Sequence, residues 1–220
     1  MQPQQSKTRL LEAAIKLVRT KGYNATRVED VCAEAGVTKG SFFHHFKTKD
    51  DLALAAVEHW KQSAGALFEH ADYHLAPDPF DRILAYLDFR KSILVGALPE
   101  FTCFVGTMVQ ETYATHPQLR AGCESSICGH AARLEADIAA AIQQRGTVEP
   151  VTAHSLALHM QCVVQGAFIL AKATGGAAIA ADSIDHLRRY IVLLFGAAKP
   201  RVRATTRRGH GRRGAAAARS

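Results

Sequence analysis

Two helix-starting signals stand ten residues apart in this chain, at Thr38 and Thr48. A threonine in such a place can accept from the free N–H groups of a first helical turn, and Thr48 with Asp51 has the reciprocal form of that cap. Between the two fits a helix of little more than two turns, Lys39 to His45. Helix nucleation is unfavourable and each added residue returns a single hydrogen bond, so a helix this short does not persist alone. Its neighbours must hold it. Upstream, Thr26 and Glu29 form a T-x-x-E pattern, which predicts a helix beginning near Arg27 with Val28, Val31 and Cys32 on one face. Ala35-Gly36-Val37 supplies the break that follows.

A short helix, a turn containing Gly and a second short helix with polar and basic residues in its first turn form a helix-turn-helix, whose second helix enters the major groove of DNA. Thr38, Lys39 and Ser41 are the hydrogen-bonding groups expected at base edges, and Gly40 lets the backbone approach closely. Phe42 and Phe46, four apart, anchor the helix from behind. Arg27, Phe43, His44, His45 and Lys49 complete the expected DNA-contacting set. Basic runs are usually no more than a solvated face, but the caps, the Gly turn and the spacing together favour DNA binding.

From Gly36-Val37-Thr38-Lys39-Gly40-Ser41, through His44-His45-Phe46 to Lys49, the chain resembles the TetR family of transcriptional repressors. The resemblance is one of motif over residues 6 to 53 and of helical layout beyond. Phe43 stands where many members of that family carry a tyrosine whose hydroxyl meets a phosphate, which leaves more of the positioning to His44 and Lys49. The resemblance implies a homodimer that places two recognition helices on a near-palindromic operator and is released by a small molecule.

Residue usage rich in Ala and Leu favours an all-α fold of about nine helices. The expected domains are a three-helix DNA-binding unit at residues 1–51 and a larger helical ligand-binding and dimerisation domain at 52–198. A disordered basic tail is expected at 199–220. The net charge of +7 sits at the two ends: residues 1–51 hold nine Lys/Arg against six Asp/Glu, and residues 199–220 hold eight against none. The stretch between is acidic, as suits a DNA binder with a separate receptor domain. The helix that starts near Lys49 meets no strong breaker before Asp72, so it is expected to run from one domain into the other.

The first residues are polar where a signal peptide needs an apolar run, and a cytoplasmic location is expected. Five cysteines without a C-x-x-C pair argue against a disulfide framework or structural zinc, and no metal or cofactor is expected. His70 and His74 could share a metal on a helix but have no third ligand legible in sequence, so solvated loop histidines are expected. Ser6 is expected to cap the first helix, after five disordered residues. Later helices are expected over Pro99 to Ala114, Pro117 to Gly146, from Pro150 to the Gly175-Gly176 break, and from Asp182 to Phe195.

Trp60, Phe89, Phe101, Cys103, Phe104, Met108 and Phe168 are the candidate lining of a pocket for an apolar or electrophilic small molecule. The plainer alternative for each is an ordinary packed core. Cys103 lies near a helix start, where the helix dipole favours a thiolate, but between phenylalanines, which disfavour one. Leu156, Met160, Val163, Ala167, Ile184, Leu187, Ile191 and Leu194 repeat at threes and fours on the last two helices and are the expected dimer seam. The surplus of apolar residues off those stripes, Val164, Ile169, Val192 and Phe195, also points to a homodimer. Two other readings stand beside the regulator: an architectural protein that coats DNA through its basic tail, and a helical-bundle enzyme. The second lacks the paired E-x-x-H motifs of a di-iron bundle.

Overall fold

The computed structural model describes residues 3–196, and among them the regular structure is helical throughout, ten α-helices and one 3-10 turn at Asp72–Leu75. The helices are α1 (Pro3–Lys21), α2 (Val28–Ala35), α3 (Lys39–His45), α4 (Lys49–Glu69), α5 (Pro79–Ser92), α6 (Leu98–Phe101), α7 (Phe104–Thr112), α8 (Pro117–Arg145), α9 (Ala153–Thr174) and α10 (Ala178–Phe195). The basic tail expected at 199–220 lies outside the described residues.

The N-terminal caps are as expected at α3 and α4 and differ from expectation at α2 and α1. At α3 the Thr38 hydroxyl accepts from Ser41 N at 3.1 Å. At α4 Thr48 and Asp51 bond reciprocally, each at 3.0 Å. At α2 the cap sits one residue later than the T-x-x-E pattern suggests: Asp30 rather than Glu29 reaches back, to Arg27 N at 3.0 Å. The Thr26 hydroxyl instead donates to Gly22 O at 2.7 Å and closes the preceding loop. Gly36 ends α2 in the left-handed region, φ 60°, where a β-carbon would also press on the Arg9 guanidinium. Helix α1 already runs at Pro3, and Ser6 is not its cap. The Ser6 hydroxyl lies inside the helix and bonds to His45 Nε2 at 2.7 Å.

The single helix expected over Pro99 to Ala114 is two, which raises the count to ten. Thr102 and Cys103 are extended between α6 and α7. The Thr102 hydroxyl donates back to Leu98 O, and the Cys103 sulfur accepts from Gly106 N at 3.3 Å as the cap of α7. These side chains offer the backbone an alternative to continuing the helix. Helix α9 starts after the Thr152 cap rather than at Pro150, and α10 begins four residues before Asp182.

Packing does not respect the boundary at residue 51. The core that holds α1 to α4 together, around Leu10, Val18, Val31, Phe42 and Leu52, also contains Phe104, Val105 and Met108 of α7 and Leu119 and Cys123 of α8. A second core joins α5, α8, α9 and α10, and a third gathers Phe101, Val164, Phe168 and Ala180. The expected dimer seam belongs to these interiors. Leu156, Met160, Ala167, Ile184, Leu187, Ile191 and Leu194 are buried within the protomer, and Val163 packs partly buried against the second core. The most regular apolar stripe of each helix faces its own bundle, which any folded monomer requires first. Of the surplus residues, Val164 and Phe195 are buried as well, while Ile169 and Val192 are exposed.

Candidate nucleic-acid interface and the adjoining cavity

Phe42 is completely buried and holds α3 from behind, with its ring against Phe43 and Phe46 at 5.1 and 5.9 Å. The opposite face is open. Phe43 is exposed, Ser41 partly so, and Lys39 reaches Glu29 on α2 at 2.5 Å. That pair is exposed on both sides and holds the lysine only loosely. Arg27 projects into solvent with one tie to Asp30. His44 is exposed, and its ring meets His45 edge-on. His45 itself is half-buried and engaged by Ser6, and burial followed by the charges of His44 and Lys7 lowers its pKa. A β-carbon added to Gly40 would meet nothing nearer than the Thr38 hydroxyl at 3.7 Å. The fold has room for alanine there, so glycine in a helix is not explained from inside the protein.

Lys49 is committed inward. Its ammonium lies 4.0 Å from the Tyr23 ring centroid and donates to Tyr23 O and Thr26 O, at 3.2 and 3.3 Å. These bonds use two of its three donors and fix the loop that launches α2. Around the same loop the Tyr23 hydroxyl donates to Asp50, its pKa raised by burial and then by that carboxylate. Glu111 of α7 accepts from Tyr23 N and Asn24 N at 3.1 and 2.8 Å. Gly22, at φ 89°, leaves no space for a side chain beside that carboxylate. The end of α1 is thereby latched to α7.

Beside this latch lies a cavity of about 380 Å³. Trp60, Phe101, Cys103 and Phe168 line it as expected. Phe104 and Met108 do not, because α7 turns them under α1 into the first core, and Phe89 packs against the second. The wall also carries polar residues outside the expected set: Arg19 of α1, Arg90 of α5, His130 and Arg133 of α8, and Gln161 and Gln165 of α9. The signal was available. Arg90 falls on the inward stripe of Ile83 and Leu87, and His130 on that of Ile127 and Leu134, where polar residues have no place in a simple core.

Arg19 reaches the cavity from the DNA-binding side. Its guanidinium lies 5.0 Å from the Trp60 ring, its Nε is buried without a hydrogen-bond partner, and burial lowers its pKa to about 10 against the pull of Cys103 and Glu100. Cys103 also lies within electrostatic reach of Lys172, whose own pKa burial lowers. His130 bonds the Tyr86 hydroxyl at 2.9 Å, and burial, then Arg90 and Arg133, push its pKa down to about 3. It is neutral at physiological pH. His70 and His74 each bond a backbone carbonyl, of Ala66 and Phe68.

Helix-turn-helix regulators with a built-in helical receptor are the class this arrangement defines, since α1 and α4, which share the core that holds α3, both reach the cavity wall. Residues 10–56 match the family model of bacterial regulatory proteins of the tetR family, and residues 79–179 match the C-terminal domain of LmrA/YxaF-like transcriptional regulators. The chain belongs to the TetR family. It is 31% identical over 104 residues to the uncharacterized HTH-type transcriptional regulator YerO of Bacillus subtilis, covering 44% of this chain and 36% of that one. To the transcriptional regulator AcuR of Cereibacter sphaeroides it is 28% identical over 112 residues, 51% of each chain. The chain thus spans about a third to a half of the length of these relatives. A TetR-family regulator of Agrobacterium tumefaciens shares the fold with a TM-score of 0.77 and 23% identity, over 87% of this chain and 100% of that one.

Proposed function

We propose that the protein is a ligand-responsive repressor that binds a near-palindromic operator as a homodimer, acts in the cytoplasm without cofactor or catalysis, and releases DNA when a small molecule fills the cavity. One observation carries this reading. Arg19 and the stretch Trp60 to Phe68 put two helices of the DNA-binding unit, α1 and α4, on the cavity wall. A molecule held there acts on the supports of α3 directly, and it shifts the protein only by its different affinity for two arrangements of those helices.

The dimer surface in this reading is the outer face of α9 and α10, not the buried seam. Ile169, Leu170, Tyr190, Val192 and Leu193 are exposed there, and His159 joins the two helices through an edge contact with Tyr190 at 5.3 Å. A β-carbon on Gly166 would touch nothing within 4 Å, so that glycine too has no reason inside the protomer and suits a close crossing with a second copy. The expected DNA contacts are Thr38, Lys39, Gly40 and Ser41 at base edges, with Arg27, Phe43 and His44 along the backbone. Lys49 and His45 act chiefly by holding the loop and α1 in place.

Selection of random duplexes by the purified protein at two salt concentrations tests the proposal. A near-palindromic site that survives the higher salt is the expected result. Binding without enrichment, lost as salt rises, would favour the architectural alternative through the basic tail. Gly40→Ala separates the fold's needs from DNA's: it is expected to stabilise the protein by about 0.5–1 kcal/mol in thermal or denaturant unfolding while weakening operator binding. A variant that bound DNA as well as wild type would remove Gly40 from the interface.

A further inference from the structure

The most unusual group in the cavity is Arg90. It is 9% exposed, lies on the core-facing side of α5, and holds its guanidinium 5.1 and 5.7 Å from the ring centroids of Phe68 and Phe168. Among the described residues no carboxylate pairs with it and no hydrogen-bond acceptor takes its donors. The π-faces offset some of its charge. Its nitrogens open onto the cavity, and no described residue fills their hydrogen-bonding fork.

The surroundings add to the imbalance rather than correct it. Arg133 stands at the cavity edge and gives one N–H to Gly65 O at 3.1 Å, with the rest of its fork free of any partner among the described residues. Arg19 and Lys61 complete the cationic wall, and Lys61 donates to the Ser125 hydroxyl. Among the described residues Glu100 is the one carboxylate lining the cavity, and its Oε2 is engaged by Ala97 N at 2.6 Å as the cap of α6. His130, placed between the influences of Arg90 and Arg133, is neutral and adds no negative charge. Trp60, Phe101 and Phe168 line the same cavity, Trp60 beside Arg19 and Phe168 beside Arg90.

We infer that the cavity takes an amphipathic organic anion, a carboxylate or sulfonate on an aromatic body, with Arg90 and Arg133 receiving the oxyanion and the rings of Trp60, Phe101 and Phe168 the apolar part. Guanidinium and oxyanion match as a two-pronged hydrogen-bonding pair, which gives the ligand both affinity and orientation. The inference rests on the receptor reading above and replaces the apolar or electrophilic ligand that the aromatics and Cys103 suggest.

Two dyes with the same ring system test it. The full-length protein is titrated with 8-anilinonaphthalene-1-sulfonate and with N-phenyl-1-naphthylamine, which lacks the sulfonate. The sulfonate is expected to bind about tenfold or more tightly than the amine. Arg90→Met is expected to erase that preference and leave the amine's binding intact. If the amine binds wild type as tightly as the sulfonate, or if Arg90→Met keeps the preference, the anion inference is wrong while the receptor stands. If neither dye binds, the receptor reading falls and takes the inference with it. Should Arg90→Met not fold, Arg133→Gln at the cavity edge is expected to narrow the same ratio, and an unchanged ratio overturns the inference.

Discussion

A chain carrying Ile169→Glu and Leu193→Glu is expected to run as a monomer in size-exclusion chromatography and to bind a selected operator at least about 100-fold more weakly than wild type. Ile169 is 50% exposed and Leu193 72% exposed, so neither replacement disturbs the cores within the protomer. Helix content and melting of the isolated chain should change little. In a two-fold interface each substitution appears twice, so four carboxylates would be brought into a small apolar contact, and desolvating like charges is strongly unfavourable. Losing the partner removes the second half-site and with it the multiplication of two weak contacts into one strong one. A variant that stayed dimeric would place the interface on another surface, with Leu75 and Val148 as the exposed apolar residues to examine next.

Phe42→Ala is expected to cost about 3–5 kcal/mol, lower the melting temperature by roughly 10 °C and abolish specific DNA binding. Phe42 is fully buried and is the main anchor of a seven-residue helix. The shape of the transition is as informative as its midpoint. The core around Phe42 includes Phe104, Met108 and Leu119, so the protein should still unfold in one step. An early, separate melting of the first three helices would show that the two units fold independently.

The reading helix was legible because the signals that start and stop it are local, although distant residues anchor it. Thr38, Thr48 and Asp51 cap the helices that their positions announce, and Gly36 makes the turn. The cap of α2 falls one residue later than Thr26 and Glu29 suggest because the Thr26 hydroxyl is taken by Gly22 O in the preceding loop and Asp30 serves Arg27 N instead. Periodicity found α9 and α10 but could not say what their best stripe faces: Ile184 and Met160 meet other helices of the same chain, not a second one. The cavity was harder still. Large aromatics mark core and pocket alike, and Phe104 and Met108 went to the core because of how α7 packs under α1. Arg90 on an apolar stripe was the more discriminating sign, since burial of a charge needs a reason that burial of a phenylalanine does not.

The shared core around Leu10, Phe42, Phe104 and Met108, with the Glu111 latch to Tyr23 and Asn24, bears on how such a protein can be re-engineered. A chimera cut after residue 51 would set Phe104, Met108 and Glu111 against a foreign surface, and would lose signal transmission even if both halves folded. A graft confined to the outward side chains of α3 leaves that seam untouched. New promoter specificities should therefore be obtained by rewriting a few exposed positions on one short helix rather than by exchanging whole domains.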